Sequence, residues 1–213
     1  MESSPKIYVY KLTTDNGGAP CMQGNLLSLA ICKPMIRKKA KEGSLIFGFG
    51  AKNYGERLIY IARVTKKLSS GDYYQKQEYR QRRDCIYRAV DGKAKLRRSV
   101  RFHSNGMELK KDVGEYFENA HVLLSDDFRY FGGAGSDDYK ADFPAIKYLI
   151  ENLWQGHRVN HEPKLFEELL RLKARVWSEW PANLANPPSE SDFTKTCNQD
   201  AGSCGVTRAK TES

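Results

Sequence analysis

Two apolar runs flanking a glycine-rich turn constrain the fold of this chain more than any other feature. The first run covers residues 45–49 and the second covers residues 57–65, with a turn between Gly50 and Gly55. Apolar runs of this length joined by a short turn are typical of buried strands in an antiparallel hairpin. We therefore predict a hairpin here, and any proposed fold has to include it.

The other predicted elements follow no regular order. Residues 7–12 are rich in β-branched and aromatic side chains and predict an opening strand. Residues 121–124 predict a later strand, which residues 127–131 could continue, and an Asp-Gly pair at residues 91–92 indicates a second hairpin. Residues 162–177 carry an apolar stripe at helical spacing. Further predicted segments are a strand or helix at 26–32, a basic helix at 35–41, a short helix at 72–80 and a helix at 143–153. This irregular order predicts an α+β fold with a partly closed sheet, and it disfavours a doubly wound fold.

The length of 213 residues suits one domain that closes its own core. We place this domain at residues 5–180 and expect the Pro-, Ser- and Asn-rich residues 181–213 to form a disordered tail. The apolar stretches fall far short of the ~18 residues of a membrane span. The N-terminus shows no apolar signal segment, so we expect a cytoplasmic protein without membrane contact.

Positive charge is concentrated in two parts of the predicted domain. The chain carries 35 Lys and Arg against 26 Asp and Glu, for a net charge of +9. The tail holds three basic and four acidic residues, so residues 1–180 carry +10. Focused positive charge favours a polyanion partner because phosphate neutralisation releases counterions, although a solvated basic face that aids solubility stays open. The predicted phosphate-binding residues are Lys33, Arg37, Lys38, Arg80, Arg82, Arg83, Arg97 and Arg98.

The cysteines and histidines predict neither disulfides nor a metal site. The chain has five cysteines, an odd number, without the Cys-x-x-Cys spacing of a zinc knuckle. Cys32 ends an apolar run, and we interpret it as a small core residue in preference to a nucleophile. His157 and His161 are four apart, but Gly156 and Pro163 bracket them and place them in a loop. We predict no metal and no cofactor.

The acidic pair after the later strand is the best catalytic candidate, although an incomplete one. Asp126 and Asp127 are adjacent, and adjacent residues on a strand point to opposite faces, so the two carboxylates do not easily share one site. One of them could act as a lone base, with Arg129 as an anion anchor. A complete triad or dyad cannot be written from this sequence, so whether the protein is an enzyme stays open.

The end of the first strand is the better candidate site, and it predicts binding. Thr13, Asp15 and Asn16 have short polar side chains that can contact the edges of a base. Phe47 and Phe49 on the predicted hairpin could stack on that base. Two alternatives stay open: the polar residues form a plain turn, and the two phenylalanines, which share one strand face, fill the core.

Several blocks together resemble a known family. They are IYVYK at 7–11 with DNGGAP at 15–20, LSLAICKPMIR at 27–37, AKEGSLIFGF at 40–49 with RLIYIARV at 57–64, and VLLSDDFRYFGG at 122–133. The set is similar to the nucleotide modification associated domain 2 family, and the resemblance covers roughly residues 6–178. It implies work beside DNA-modifying enzymes and protein partners from a DNA-modification or defence system.

The hairpin block also resembles the PUA-like superfamily, which includes EVE, ASCH and YTH domains. The resemblance implies a small curved, partly closed mixed β-barrel, flanked by helices, whose pocket accepts a modified base. The chain has Gly43-Ser44 where a Gly-Asp pair usually opens the strand, which weakens the match.

These observations lead to one hypothesis and two alternatives. The leading hypothesis is a module that binds DNA, RNA or a nucleotide and recognises a modified base. The first alternative is an enzyme acting on a modified nucleobase or nucleotide, with Asp126 or Asp127 as its base. The second alternative is a protein-interaction module of a modification system.

Overall fold

The computed structural model describes residues 5–97, 102–103, 106–154 and 156–186. These residues form twelve strands and six α-helices. The strands are β1 (Ile7–Leu12), β2 (Cys21–Gln23), β3 (Leu26–Leu29), β4 (Leu45–Gly50), β5 (Leu58–Arg63), β6 (Lys66–Leu68), β7 (Tyr87–Val90), β8 (Lys93–Leu96), β9 (Val122–Ser125), β10 (Asp127–Tyr130), β11 (His157–Arg158) and β12 (Leu184–Ala185). The helices are α1 (Pro34–Lys39), α2 (Asp72–Gln75), α3 (Gly106–Asp112), α4 (Tyr139–Asp142), α5 (Pro144–Asn152) and α6 (Pro163–Glu179).

The larger sheet contains six strands in the order β11-β1-β4-β5-β10-β12. The β1–β4 and β10–β12 pairs are parallel and the others are antiparallel, so the sheet is mixed. The predicted hairpin is confirmed, since β4 pairs with β5 and places Phe47 opposite Ile61. The predicted opening strand is β1.

The smaller sheet contains four antiparallel strands in the order β2-β3-β9-β6. The ambiguous segment at residues 26–32 contributes its strand β3, and β7 and β8 form the predicted second hairpin apart from both sheets. The expectation that residues 127–131 continue the strand at 121–124 is wrong. The chain turns at Asp126, and β10 joins the larger sheet.

The α+β class is confirmed, but closure into a barrel is not. Among the described residues, the larger sheet ends on β11 and β12 and does not pair with the smaller sheet. Both edge strands have only two residues, a length that limits unwanted pairing at an open edge. The larger sheet buries both of its faces, one under helices α4 to α6 and the other against the smaller sheet.

Three apolar clusters fill the spaces between the sheets and the elements packed on them. The first lies between the larger sheet and α4, α5 and α6, and it contains Phe47 and Leu169. The second lies between the two sheets and contains Tyr10 and Phe128. The third lies behind the smaller sheet, against α2 and the β7–β8 hairpin, and contains Tyr74. Since side chains alternate along a strand, β1 and β4 each feed the first cluster with odd-numbered residues and present the others to the second.

Gly48 of β4 leaves room for the ring of Tyr60, which lies opposite it on β5 and belongs to the second cluster. A Cβ at this position would lie 2.2 Å from Cε1 of Tyr60. We expect Gly48→Ala to lower the free energy of unfolding by about 1–3 kcal/mol, the usual cost of overpacking a core. Urea unfolding measures this change. Gly106→Ala is the control, because a Cβ there meets nothing within 4 Å, and equal losses in both variants would contradict the packing argument.

None of the helices described here is long and apolar enough to cross a membrane.

Candidate functional site

A cavity of about 420 Å³ opens where β1 ends. It lies between the residues that follow β1 and β4 and the C-terminal end of α5, and we call it the strand-end cavity. Its volume falls in the range of small-molecule sites, ~300–1,000 Å³. The residues that give it its chemistry are Lys11, Thr13, Lys33, Lys52, Glu151 and Trp154.

Three lysines give the strand-end cavity its positive charge. Lys11 forms an ion pair with Glu56 at 2.7 Å, and both side chains are largely buried. The Lys33 ammonium lies 4.9 Å from the centre of the Tyr10 ring and donates to the main-chain oxygen of Lys11. Lys52 is exposed. Even counting Glu151 in the lining and the Glu56 partner of Lys11, three cations face two carboxylates, so the cavity suits an anion.

Trp154 adds an aromatic surface to this cavity. The residue follows the end of α5 and is 87% exposed. Helix α5 ends before Trp154, and the preceding Leu153 packs into the first apolar cluster, whereas the indole lies outside it. An exposed indole is the side chain best suited to stacking on a base. Sequence reasoning missed Trp154; the signal available was a tryptophan just past the end of a predicted amphipathic helix.

A second, much smaller cavity adjoins the first. It measures about 30 Å³ and shares Thr13 and Lys33 with the strand-end cavity. Asn16 and Cys32 also line it. We call it the small cavity. Its volume is that of about one water molecule, so only the tip of a ligand fits inside.

A buried tyrosine network supports the loop after β1. The hydroxyls of Tyr10 and Tyr60 lie 2.9 Å apart, and the Tyr130 hydroxyl donates to Oδ1 of Asp15 at 2.6 Å. The main-chain N–H of Asp15 donates to the Tyr54 hydroxyl at 3.0 Å. Burial raises the pKa of Tyr10 and Tyr130 well above the ordinary value, so both phenols stay neutral. The network fixes the position of the loop that carries Thr13 and Asn16.

The structure divides the polar residues predicted to contact a base. Thr13 lines both cavities and Asn16 lines the small cavity. The Asn16 side chain also accepts a hydrogen bond from the Gly18 N–H, as in a turn. Asp15 is buried and faces Tyr130. Asp15 therefore fixes the loop through its hydrogen bonds to Tyr130 and Tyr54, and it lines neither cavity.

Phe47 and Phe49 lie on the face of the larger sheet that packs against α4 to α6, opposite the face that carries Tyr10. Both are fully buried, and the Phe49 ring contacts Tyr139 edge-on with centroids 5.0 Å apart. The predicted stacking of these rings on a base disagrees with this position, because helices α4 to α6 cover that face. The alternative, that they fill the core, agrees with it.

Two of the predicted phosphate-binding arginines are buried. Arg37 is fully buried, pairs with Asp112 at 3.1 Å, and donates to the main-chain oxygens of Cys32 and His121. Arg82 is also buried, and its guanidinium lies 3.8 Å from the Asp84 carboxylate. Both guanidinium groups are enclosed by protein and are not accessible to a phosphate. The prediction that Arg37 and Arg82 bind phosphate is therefore corrected.

The other predicted phosphate-binding residues differ in exposure. Lys38 is exposed on α1, and Arg80 and Arg83 are exposed after α2. Arg97 is half-buried and donates to the main-chain oxygens of Tyr87 and Tyr74, so it links main-chain segments. Arg98 lies outside the described residues.

The predicted catalytic residues line neither cavity. Asp127 accepts a hydrogen bond from the Trp177 indole at 2.8 Å, and the Arg129 guanidinium lies 4.3 Å from the centre of the Trp177 ring. Asp127 and Arg129 thus attach β10 to α6. Asp126 is exposed at the turn between the sheets, where its N–H donates to the Thr65 hydroxyl.

The histidine pair and the described acidic and cysteine residues do not form a metal site. In the part of the chain that the structure describes, no group of three or more His, Cys, Asp or Glu side chains is placed to hold a metal ion. His157 is the first residue of β11. Burial lowers its pKa, and the charge of the nearby Lys33 lowers it further. His161 donates to the main-chain oxygen of Ile7, and burial lowers its pKa as well.

A second positively charged concavity lies at the opposite end of β1 and β4. It measures about 850 Å³ and we call it the basic groove. Helix α1 connects the two concavities, because Lys33 precedes the helix in the strand-end cavity and Lys39 ends it in the basic groove. The charged residues of the basic groove are Lys6, Lys39, Lys41, Glu42 and Arg63.

The fold and these cavities define a two-sheet α+β protein with a positively charged, aromatic-lined cavity at a strand end. The family described as nucleotide modification associated domain 2 matches residues 4–188. The chain belongs to this family, as its sequence blocks predicted. No curated protein and no solved structure matches the chain at a significant level.

Proposed function

We propose that the protein binds a nucleotide or a nucleic-acid strand in the strand-end cavity and recognises a modified base there. One observation carries this proposal: three lysines and an exposed tryptophan line one cavity of nucleotide size. The lysines offer charge for phosphate, and the indole offers a stacking surface that accepts any base. The family description, which names nucleotide modification, supports the same class of ligand.

The small cavity is the proposed reader of the modification. Thr13 and Asn16 line it, and their hydroxyl and carboxamide can form hydrogen bonds with a polar group carried by the base. Its volume of about 30 Å³ accepts a substituent but not a whole base ring. We also propose that the protein is related to PUA-like domains. The resemblance implies that such domains hold a modified base in a pocket beside a curved sheet, as proposed for the small cavity.

The proposed path of a longer strand follows helix α1. Lys38 is exposed on this helix between the strand-end cavity and the basic groove. A strand with one base in the cavity would place its next phosphates beside Lys38, Lys39 and Lys41. DNA and RNA both fit this arrangement, because these contacts are made to phosphates.

Loss of Trp154 tests the proposed stacking. We expect Trp154→Ala to weaken binding of a labelled single-stranded oligonucleotide by about 5–150-fold, because stacking on one aromatic ring contributes ~1–3 kcal/mol. Fluorescence anisotropy measures the affinity with modified and unmodified oligonucleotides at two salt concentrations.

Tyr148→Ala is the matched control for this experiment. Tyr148 is 71% exposed on the same helix, α5, and does not line the cavity. The control should bind like the unaltered protein. The proposal fails if the unaltered protein binds none of the oligonucleotides at low salt, or if both substitutions weaken binding equally.

A further inference from the structure

Three side chains from distant parts of the chain form a hydrogen-bonded series at the small cavity. The Cys32 sulfur lies 3.0 Å from Nε2 of His103. Nδ1 of the same imidazole is hydrogen-bonded to Oδ2 of Asp112. A carboxylate accepts hydrogen bonds, so Nδ1 donates and Nε2 presents its lone pair to the thiol. This order of thiol, imidazole and carboxylate is that of an activated cysteine nucleophile.

Asp112 is held in place from several sides. Its Oδ2 also accepts a hydrogen bond from the Tyr87 hydroxyl at 2.8 Å, and its Oδ1 accepts one from the Cys32 N–H at 3.0 Å. The buried Arg37 guanidinium pairs with Oδ1. A carboxylate fixed in this way orients the imidazole of His103, which is the role of the third member in a nucleophile–base–acid series.

The backbone at these residues is unusual. Cys32, Lys33 and His103 have φ angles of 58°, 44° and 46°. This left-handed region is uncommon for residues with a Cβ, and such conformations concentrate at functional sites. The left-handed backbone occurs both at the thiol and at the imidazole that faces it.

Cys32 differs from the other described cysteines in its surroundings. It is half-buried and packs against the third apolar cluster, as a small core residue does, and it also lines the small cavity. Cys21 and Cys85 are buried in the core. Burial raises the pKa of Cys85 to about 11 and raises that of Cys21 further, so these two thiols stay protonated.

We propose that Cys32 is the nucleophile of an acyl-transfer reaction, with His103 as general base and Asp112 as the residue that positions it. The substrate is an amide or ester whose acyl carbonyl enters the small cavity, because about 30 Å³ admits a carbonyl group and little more. The assignment of the rest of the substrate to the strand-end cavity rests on the proposed function. The reactivity of the thiol does not.

The reaction needs no oxidant or reductant. His103 takes the thiol proton as the sulfur adds to the carbonyl carbon, and a carbon–sulfur bond forms. The bond to the amine or alcohol then breaks, and this leaving group takes the proton from Nε2. Water adds to the resulting thioester as His103 accepts its proton, the carbon–sulfur bond breaks, and the thiol recovers that proton. Lys33 lines the same cavity, and its ammonium would stabilise the oxyanion in both steps.

Two measurements on the full chain test the proposal. Cys197 and Cys204 are replaced by serine to remove their thiols. The rate at which iodoacetamide alkylates Cys32 is followed against pH by peptide mass spectrometry. We expect its midpoint below the ordinary thiol value of ~8.5, and we expect His103→Gln to raise that midpoint. p-Nitrophenyl acetate should acetylate Cys32 and release p-nitrophenolate, and His103→Gln should slow this by about 10²-fold or more.

The controls separate catalysis from folding and from nucleotide binding. His161→Gln replaces a histidine that contacts the Ile7 main chain and should leave both measurements unchanged. Circular dichroism confirms that each variant is folded. p-Nitrophenyl acetate carries no nucleotide, so its reaction does not depend on the proposed nucleotide binding. An ordinary midpoint for Cys32, or acetylation that His103→Gln leaves unaltered in a folded protein, would overturn the proposal.

Discussion

Arg37→Met is expected to lower the free energy of unfolding by about 3–5 kcal/mol, the usual cost of breaking a buried ion pair by removing one partner. Arg37 is fully buried and holds the Asp112 carboxylate and the main-chain oxygen of His121. Methionine has a similar volume but no donor, so it leaves the Asp112 carboxylate inside the protein without its cation. Urea unfolding at neutral pH measures the loss.

Lys38→Met is the control for this substitution. Lys38 is the next residue and is exposed, so its replacement should change the free energy of unfolding by no more than ~0.5 kcal/mol. Oligonucleotide affinity should respond in the opposite order, with Lys38→Met weakening binding more than Arg37→Met in the folded protein. A small loss of stability together with a large loss of affinity in Arg37→Met would return Arg37 to the phosphate-binding surface.

These two neighbours show what charge clustering can and cannot predict. The concentration of cations near α1 is visible in the sequence, and it lies between the two basic concavities of the structure. Which of the cations is buried depends on Asp112, a residue 75 positions away. A local pattern carries no information about such a partner, so Arg37 and Lys38 look alike until the chain is folded.

The elements that depend on local sequence were predicted well. The β4–β5 hairpin, β1, the β7–β8 hairpin and helix α6 follow from apolar periodicity and turn residues. Pairing between distant segments was not predictable in this way. The apolar residues on either side of Asp126 look like one strand, and only the packing of two sheets separates β9 from β10.

The candidate site shows the same division. The polar end of β1 predicted Thr13 and Asn16, because short polar residues after a strand are a local signal. Alternation shows that Phe47 and Phe49 share a strand face but not which layer covers that face, so the sequence left stacking on a base and filling the core both open. The Cys32–His103 contact joins residues 71 positions apart, and the described structure is needed to see it.

A second buried arginine gives a prediction that depends on pH. Arg82 donates to the main-chain oxygens of Cys21, Gln23 and Leu26, and so fixes the β2–β3 turn. It also lies 3.8 Å from the Asp84 carboxylate, which is fully buried. We expect Arg82→Met to lower the free energy of unfolding by about 3–5 kcal/mol at about pH 8. Urea unfolding at several pH values measures this loss.

The loss should shrink as the pH falls. Burial raises the pKa of Asp84 above its ordinary 3.8, and Arg82 opposes that rise. Without Arg82, the pKa of Asp84 in the folded state rises further, so the folded protein binds a proton that the unfolded chain releases. Stability then decreases as the pH rises from 3.8 through the folded-state pKa, because the unfolded state binds fewer protons. The variant is therefore expected to be closer to the unaltered protein at about pH 5 than at about pH 8.

Two further variants isolate the contribution of Asp84. Arg82→Met combined with Asp84→Asn removes the titrating group and should abolish the extra pH dependence. Arg80→Met replaces an exposed arginine two positions earlier and should change stability by no more than ~0.5 kcal/mol at either pH. A loss in Arg82→Met that stays constant with pH would mean that the Asp84 carboxyl does not take up a proton when its cation is removed. The contribution of Arg82 to stability would then come from its hydrogen bonds to the main chain and to the hydroxyls of Tyr73 and Ser28.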